Sequence, residues 1–111
     1  MLPGNFLRMP SAMEVLSEKW SEVCVLFDNG TYSVIAGTFA GEHRLGERWN
    51  HDPDQHLGFP NAGRRPEWHL VPRFLEIPIL HGLLHEFAKN PTHQTGLNGP
   101  DRIMKEIKNR S

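Results

Sequence analysis

The sequence has little of what marks a disulfide-linked or membrane-spanning protein. Cys24 is its one cysteine, so no disulfide can form within the chain, which is typical of a reducing compartment. Its place in the apolar run 23–27 predicts a small packed hydrophobic residue. No apolar run approaches the roughly 20 residues that cross a bilayer, and residues 1–10 lack the apolar stretch of a signal peptide. We therefore expect a cytoplasmic protein.

An excess of positive charge is also missing. The chain has 12 Lys and Arg against 13 Asp and Glu, whereas proteins that bind nucleic acid usually carry a strong basic excess for phosphate contacts. Nucleic acid is therefore not an expected partner. The length of 111 residues fits one domain. We expect a flexible arm at 1–12, which contains two prolines and a glycine, and a single domain at 13–111.

The clearest structural signal is a β-hairpin. Segments 22–27 and 31–36 are rich in β-branched and aromatic residues, and Asn29-Gly30 between them is typical of a type I′ turn. A third strand is predicted at 42–49, with a bulge at Gly46. The next segment, 50–66, is rich in Pro and Gly and predicts a long loop of a kind that is often functional. A fourth strand is predicted at 67–71.

Helical spacing of apolar residues begins only after these strands. The stripe consists of Ile77, Leu80, Leu83, Leu84 and Phe87. Because proline is tolerated in the first turn of a helix and breaks its interior, we expect a short turn at 73–76, a helix at 78–89 and a second helix at 100–109. Strands first and helices last predict an α+β fold, in which an antiparallel sheet of three or four strands is packed by two C-terminal helices.

Seven histidines raise the question of a metal site. His81 and His85 have the i, i+4 spacing that places two ligands on one side of a helix. Both fall on the polar flank of the apolar stripe, where solvated residues belong. A second candidate cluster in the long loop consists of His51, Asp52, Asp54 and His56. Neither set has a defined third or fourth ligand, so we favour no metal site and expect no cofactor.

Acid–base chemistry has one candidate pair on the predicted fourth strand. Glu67 and His69 flank Trp68, and residues i and i+2 of a strand share a face. The favoured interpretation is that both face solvent while Trp68 points into the core. Glu42 with His43 is a second, weaker pairing.

Arginine and aromatic residues around the long loop form the main candidate binding site. If the third and fourth strands are neighbours, these groups line one cleft, in which guanidinium forks suit anions and Trp rings suit stacking. Surface ion pairs are the open alternative, because nearby Asp and Glu residues nearly balance the charge. The predicted site consists of Arg44, Arg48, Trp49, Arg64, Arg65, Trp68, His69 and Arg73.

Four segments together resemble small uncharacterised bacterial proteins carried on mobile integron gene cassettes. They are VLFDNGTYSVI (25–35), LGERWN (45–50), WHLVP (68–72) and ILHGLL (79–84). The resemblance implies a bacterial cytosolic source and a stand-alone domain that is often oligomeric, and it assigns no catalytic residue.

The sequence therefore predicts a non-enzymatic binding or interaction module with its site near loop 50–66. A free edge strand of a small sheet is often covered by a second copy, and two-fold dimers are the commonest assembly, so a homodimer is expected. The partner at the site would be a small molecule or a protein. The alternative is a small metal-dependent or acid–base enzyme that uses the histidines and Glu67.

Overall fold

Strands come first and helices last, as the sequence predicts. The computed structural model describes residues 12, 15, 17–50, 58–63, 65–90 and 99–111. Their elements are β1 (Trp20–Asp28), β2 (Tyr32–Phe39), β3 (Glu42–Trp49), β4 (Asn61–Ala62), β5 (Arg65–Pro66), β6 (His69–Leu70), α1 (Arg73–Lys89) and α2 (Gly99–Arg110). An antiparallel sheet in the order β1-β2-β3-β6 is packed by the two helices, so the predicted α+β fold is confirmed.

The hairpin of β1 and β2 is confirmed, but its turn is not type I′. That turn needs positive φ at both central residues, and of Asn29 and Gly30 only Gly30, at φ +90°, has it. Asn29 instead uses its side chain, whose Oδ1 accepts hydrogen bonds from the amides of Thr31 and Tyr32 at 2.9 Å each. The side-chain acceptor stabilises the turn without left-handed backbone at Asn29.

The irregular strand is β1 rather than β3. Gly46 pairs in regular register with Ile35, so the predicted bulge there is wrong. A Cβ at Gly46 would lie 3.1 Å from the Trp20 ring, so glycine lets this ring lie against the strand. Register shifts occur in β1, between Ser21 and Cys24 and again before Phe27. Bulges in an outer strand disfavour pairing with another sheet edge.

Both faces of the sheet are covered. The face toward the helices packs Leu26, Val34, Leu45, Val71, Leu80, Leu83 and Ile103, with Cys24 partly buried beside them. The opposite face packs Ala12, Val15, Trp20, Ile35 and Trp68. Covering both faces lets a small sheet bury apolar area on each side, at about 25 cal/mol per Å².

Helix α1 begins at Arg73, so the predicted separate turn at 73–76 and the helix start at Pro78 are wrong. Pro78 lies inside the helix. It has no amide proton for the carbonyl of Phe74, but Phe74 is 79% exposed, so water can bind that carbonyl. The helix ends at Lys89 as predicted. Helix α2 extends the predicted range 100–109 by one residue at each end.

The predicted fourth strand is shorter than expected and the predicted loop is more structured. Strand β6 covers only His69–Leu70 of the range 67–71. Within loop 50–66, β4 and β5 form a small hairpin, while 51–57 and 64 lie outside the described residues. The predicted arm at 1–12 also lies outside them, except for Ala12, which is buried and donates its amide to Asp28 Oδ2 at 3.0 Å. Neither described helix has the length and hydropathy to cross a membrane.

Candidate functional site

Two groups of polar and aromatic side chains stand out in the described part of the chain. One is a pocket of about 200 Å³ at the end of β3, here called the aromatic pocket. The other is a set of ionisable residues between β3 and the helices, centred on the buried Glu76 and Glu106 and here called the ion cluster. The aromatic pocket is lined by Tyr32, Glu47, Arg48, Trp49, Phe59, Pro60 and His69. The ion cluster consists of His43, Arg44, Glu76, Glu106 and Arg110.

Strand register builds one wall of the aromatic pocket. Tyr32 of β2 lies directly opposite Trp49 of β3, and their ring centroids are 5.0 Å apart. Glu47 lies two residues before Trp49 and therefore on the same face of the strand. Strand β6 places His69 opposite Glu47. Three neighbouring strands thus bring two aromatic rings, a carboxylate and an imidazole to one end of the sheet.

Phe59 forms the other wall, although it lies in the predicted irregular loop. Its amide and carbonyl exchange hydrogen bonds with those of Trp49, at 2.8 and 2.7 Å. Gly58 permits this approach, because a Cβ there would lie 2.0 Å from the carbonyl oxygen of Trp49. Trp49 and Phe59 remain 50% and 54% exposed. Large aromatics held half-exposed side by side on a fixed backbone are typical of an interaction surface.

Glu47 is the polar centre of the pocket. The hydroxyl of Tyr32 donates a hydrogen bond to one carboxylate oxygen, and His69 Nδ1 lies 3.3 Å from the other. Burial, reinforced by the hydrogen bond and charge of Glu47, raises the pKa of Tyr32 well above its ordinary value. Tyr32 therefore stays neutral at physiological pH and acts as a hydrogen-bond donor rather than as a base.

Arg48 supports the pocket from below. Its side chain is buried, 1% exposed, and NH1 donates to the carbonyls of Pro60 at 3.0 Å and Glu67 at 2.7 Å. Burial lowers the pKa of Arg48 to about 10, against the opposing influence of Glu67, so the group is still charged at neutral pH. Arg48 thus ties the segment that carries Phe59 to strand β3.

In the ion cluster, Glu76 of α1 joins the sheet to α2. It accepts hydrogen bonds from Arg44 Nε at 3.1 Å, Arg110 Nε at 2.8 Å and the amide of Leu45 at 3.2 Å. Burial alone would raise the pKa of Glu76, but the bonds from Arg110 and Arg44 outweigh it and hold that pKa below its ordinary value.

Glu106 of α2 completes the ion cluster. It accepts from Arg110 NH1 at 2.6 Å and contacts His43 Nε2 at 2.8 Å. The same balance, burial opposed by bonds from Arg110 and His43, holds the pKa of Glu106 below its ordinary value. A cleft of about 560 Å³ opens beside these groups and includes Arg73. Because the carboxylates are committed to cations of the chain, we assign the ion cluster to structure: it binds β3, α1 and α2 together.

The predicted arginine and aromatic residues divide among several places. Arg48, Trp49 and His69 meet in the aromatic pocket. Arg44 belongs to the ion cluster, and Arg73 is exposed and pairs with Glu42 at 2.9 Å. Trp68, 4% exposed, lies in the core on the face opposite the helices, and Arg65 is exposed in β5. Arg64 lies outside the described residues.

The histidine candidates do not converge in the described part of the chain. His81 and His85 are exposed on α1, and no group of three potential metal ligands occurs among the described residues. The loop cluster at 51–56 falls outside them. Glu67 and His69 do not act on each other, since Glu67 accepts from the amide of Trp68 at 3.0 Å and His69 contacts Glu47. The interpretation with Trp68 in the core is confirmed.

The sequence analysis missed several residues of the aromatic pocket and of the ion cluster. Tyr32 and Glu47 could have been found from the hairpin pattern, because extending its register to 42–49 puts both on the face of Trp49. The sequence around Phe59 gives no local pattern that would predict its place in the pocket, since only tertiary contacts bring it to Trp49.

Searches of protein-family models, curated proteins and solved structures give no match to this chain. The choice of a site therefore depends on geometry alone.

Proposed function

We propose that the protein is a binding module whose ligand docks in the aromatic pocket. The observation that carries the proposal is the pair of half-exposed rings of Trp49 and Phe59, whose backbones are joined by two reciprocal hydrogen bonds. Neighbouring aromatic side chains that stay half-exposed are typical of interaction sites, and ligand pockets are commonly apolar with a few polar groups. The pocket adjoins the segment 50–66, where the sequence predicts a ligand site.

The size of the pocket favours a small group as the ligand. Sites for drug-sized molecules measure about 300–1,000 Å³, and the aromatic pocket measures about 200 Å³. The ligand is therefore a small molecule, or the compact end group of a larger one, that places one substituent between the rings.

The polar groups of the pocket favour binding over catalysis. Tyr32 does not serve as a base at neutral pH, because burial and Glu47 raise its pKa. The imidazole of His69 also lines the pocket, and its Nδ1 is already engaged by Glu47. The described pocket residues include no serine, threonine or cysteine to act as a nucleophile. The alternative enzyme with Glu67 and His69 as a pair lacks support, because these side chains have different partners.

Self-association is a separate part of the proposal. In the described part of the chain, the sheet has two edge strands, and neither is well suited to pairing with a second sheet, because β1 is bulged and β6 is only two residues long. A homodimer would therefore use side-chain surfaces, such as the exposed Phe74 on α1. Sedimentation of the native protein and of Phe74→Ala tests this expectation. The bacterial cytoplasmic origin also stays a prediction.

Nuclear magnetic resonance provides the test of the pocket. The chain has three tryptophans, and a Trp49→Phe variant assigns the indole N–H signal of Trp49. A panel of small cationic, neutral and anionic compounds is titrated against labelled protein. We expect at least one class to shift the Trp49 signal saturably, while the signals of the core residues Trp20 and Trp68 stay in place. No saturable shift of Trp49 from any class would contradict the proposal.

A further inference from the structure

We infer that the group recognised in the aromatic pocket is an organic cation, in particular an alkylated ammonium group. The inference deepens the proposed function and depends on it. Three aromatic side chains, Tyr32, Trp49 and Phe59, and one carboxylate, Glu47, line the same small pocket. Aromatic faces carry negative electrostatic potential and attract cations, and rings gathered around a carboxylate combine that attraction with a full opposite charge.

The strength of the attraction depends on how the rings are held. Trp49 has the ring type with the strongest attraction for cations. Its ring packs against Tyr32 at a centroid distance of 5.0 Å, and its backbone is held by the two hydrogen bonds with Phe59. Because the backbone that carries both rings is already hydrogen-bonded, a ligand has less of the site to order on binding.

Glu47 supplies charge, and each of its two oxygens already has a partner within the protein. One oxygen accepts from the hydroxyl of Tyr32 and the other lies 3.3 Å from His69 Nδ1. A primary ammonium has three donors that all require acceptors, and rings do not satisfy them well. An ammonium whose hydrogens are replaced by alkyl groups has no such requirement and presents apolar surface to the rings. The pocket therefore fits the alkylated cation better than the bare one.

Arg48 is the charge that opposes this assignment. It lines the pocket, but its NH1 points to the carbonyls of Pro60 and Glu67, and the carboxylate of Glu67 lies close enough to act on it electrostatically. Its positive charge is thus partly balanced from behind. The same contacts disfavour an anion in the pocket, since this guanidinium is buried and its NH1 is committed to backbone oxygens.

Choline and 3,3-dimethylbutan-1-ol provide the direct test, because they have nearly the same shape and only choline is charged. Both are titrated against the protein while the indole signal of Trp49 is followed. We expect choline to bind about tenfold more tightly than the neutral analogue. We also expect added salt to weaken the binding of choline and to leave the analogue unaffected.

Two variants, each with a matched control, test whether choline binds in the aromatic pocket. Glu47→Gln keeps the shape and an acceptor for Tyr32, and it should lower the affinity for choline about tenfold without changing that for the analogue. Glu42→Gln removes an exposed charge elsewhere in β3 and should change neither. Phe59→Leu should weaken choline binding, whereas Met104→Ala, which removes an exposed apolar side chain on α2, should not. Thermal melting of each variant confirms that it is folded.

The outcomes separate this inference from the proposed function. Equal affinities for choline and the analogue, or equal loss in Glu47→Gln for both, overturn the cation assignment and leave a pocket that binds apolar groups. A response of Trp49 to anions or neutral compounds, with none to cations, would likewise overturn the cation assignment. No response of Trp49 to any compound overturns both.

Discussion

Replacement of Gly58 by alanine tests how the pocket is built. Gly58 has φ +73°, and a Cβ there would lie 2.0 Å from the carbonyl oxygen of Trp49. Gly63 provides a matched control, because it has φ +64° but, among the described residues that are not its chain neighbours, none has an atom within 4 Å of the added Cβ. The left-handed backbone itself costs a non-glycine residue about 1 kcal/mol, and this cost falls on both variants.

The difference in stability between the two variants measures the effect of the close approach of Gly58 to Trp49. In Gly58→Ala the backbone must move away from β3, which breaks the two hydrogen bonds between Trp49 and Phe59. Each is worth about 1 kcal/mol, so the free energy of unfolding should fall by about 3 kcal/mol in Gly58→Ala and by about 1 kcal/mol in Gly63→Ala.

Urea unfolding followed by circular dichroism measures both values, and quenching of tryptophan fluorescence by acrylamide gives a local read-out. Gly58→Ala should increase the accessible tryptophan fraction and abolish ligand shifts at Trp49, while Gly63→Ala should leave both unchanged. Two variants that lose the same stability within about 0.5 kcal/mol, with the same quenching, would refute the assigned role of Gly58.

Three further predictions concern the ion cluster and α1. Glu76→Gln should lower the free energy of unfolding by about 3 kcal/mol, because it removes the buried carboxylate that pairs with Arg44 and one of the two carboxylates that pair with Arg110. The exposed Glu42→Gln should cost less than about 1 kcal/mol in the same urea experiment. The pKa values of Glu76 and Glu106 are held below 4.5 in the folded protein. The stability that they contribute is therefore present above pH 4.5 and should be lost as the pH falls through their folded pKa values. A free energy of unfolding of the wild-type protein that does not change below pH 4.5 would contradict this. Pro78→Ala should raise the melting temperature, corresponding to about 1 kcal/mol, because it restores a helical hydrogen bond to the carbonyl of Phe74; a lower melting temperature would show that the proline ring makes a needed contact.

Local signals in the sequence predicted most of the fold. The hairpin and the two helices follow from residue spacing and turn residues, which act over a few positions. The prediction for Pro78 was wrong, because Phe74, whose carbonyl lacks the helical hydrogen bond, lies on the exposed side of α1, and the sequence does not show that exposure. The turn type at Asn29 was also missed, since its side chain offers an alternative to left-handed backbone.

The site was only partly predictable. Arg48, Trp49 and His69 were chosen as site residues and do meet, because β3 and β6 are neighbours. Phe59 could not be chosen, since its position depends on contacts between a loop and a strand. The ion cluster did leave a signal: Glu76 is four residues before Leu80 and therefore lies on the apolar stripe of α1. A charged residue on such a stripe indicates a buried partner of opposite charge.

The most direct test of the central claim is a titration that follows every backbone amide and the three indole signals together. With choline, the account predicts saturable shifts that centre on Trp49, Phe59 and Glu47 and are weak elsewhere. Saturable shifts that centre instead on the cleft beside α1 and α2, at His43 and Asn109, would contradict it and would move the binding site to the ion cluster.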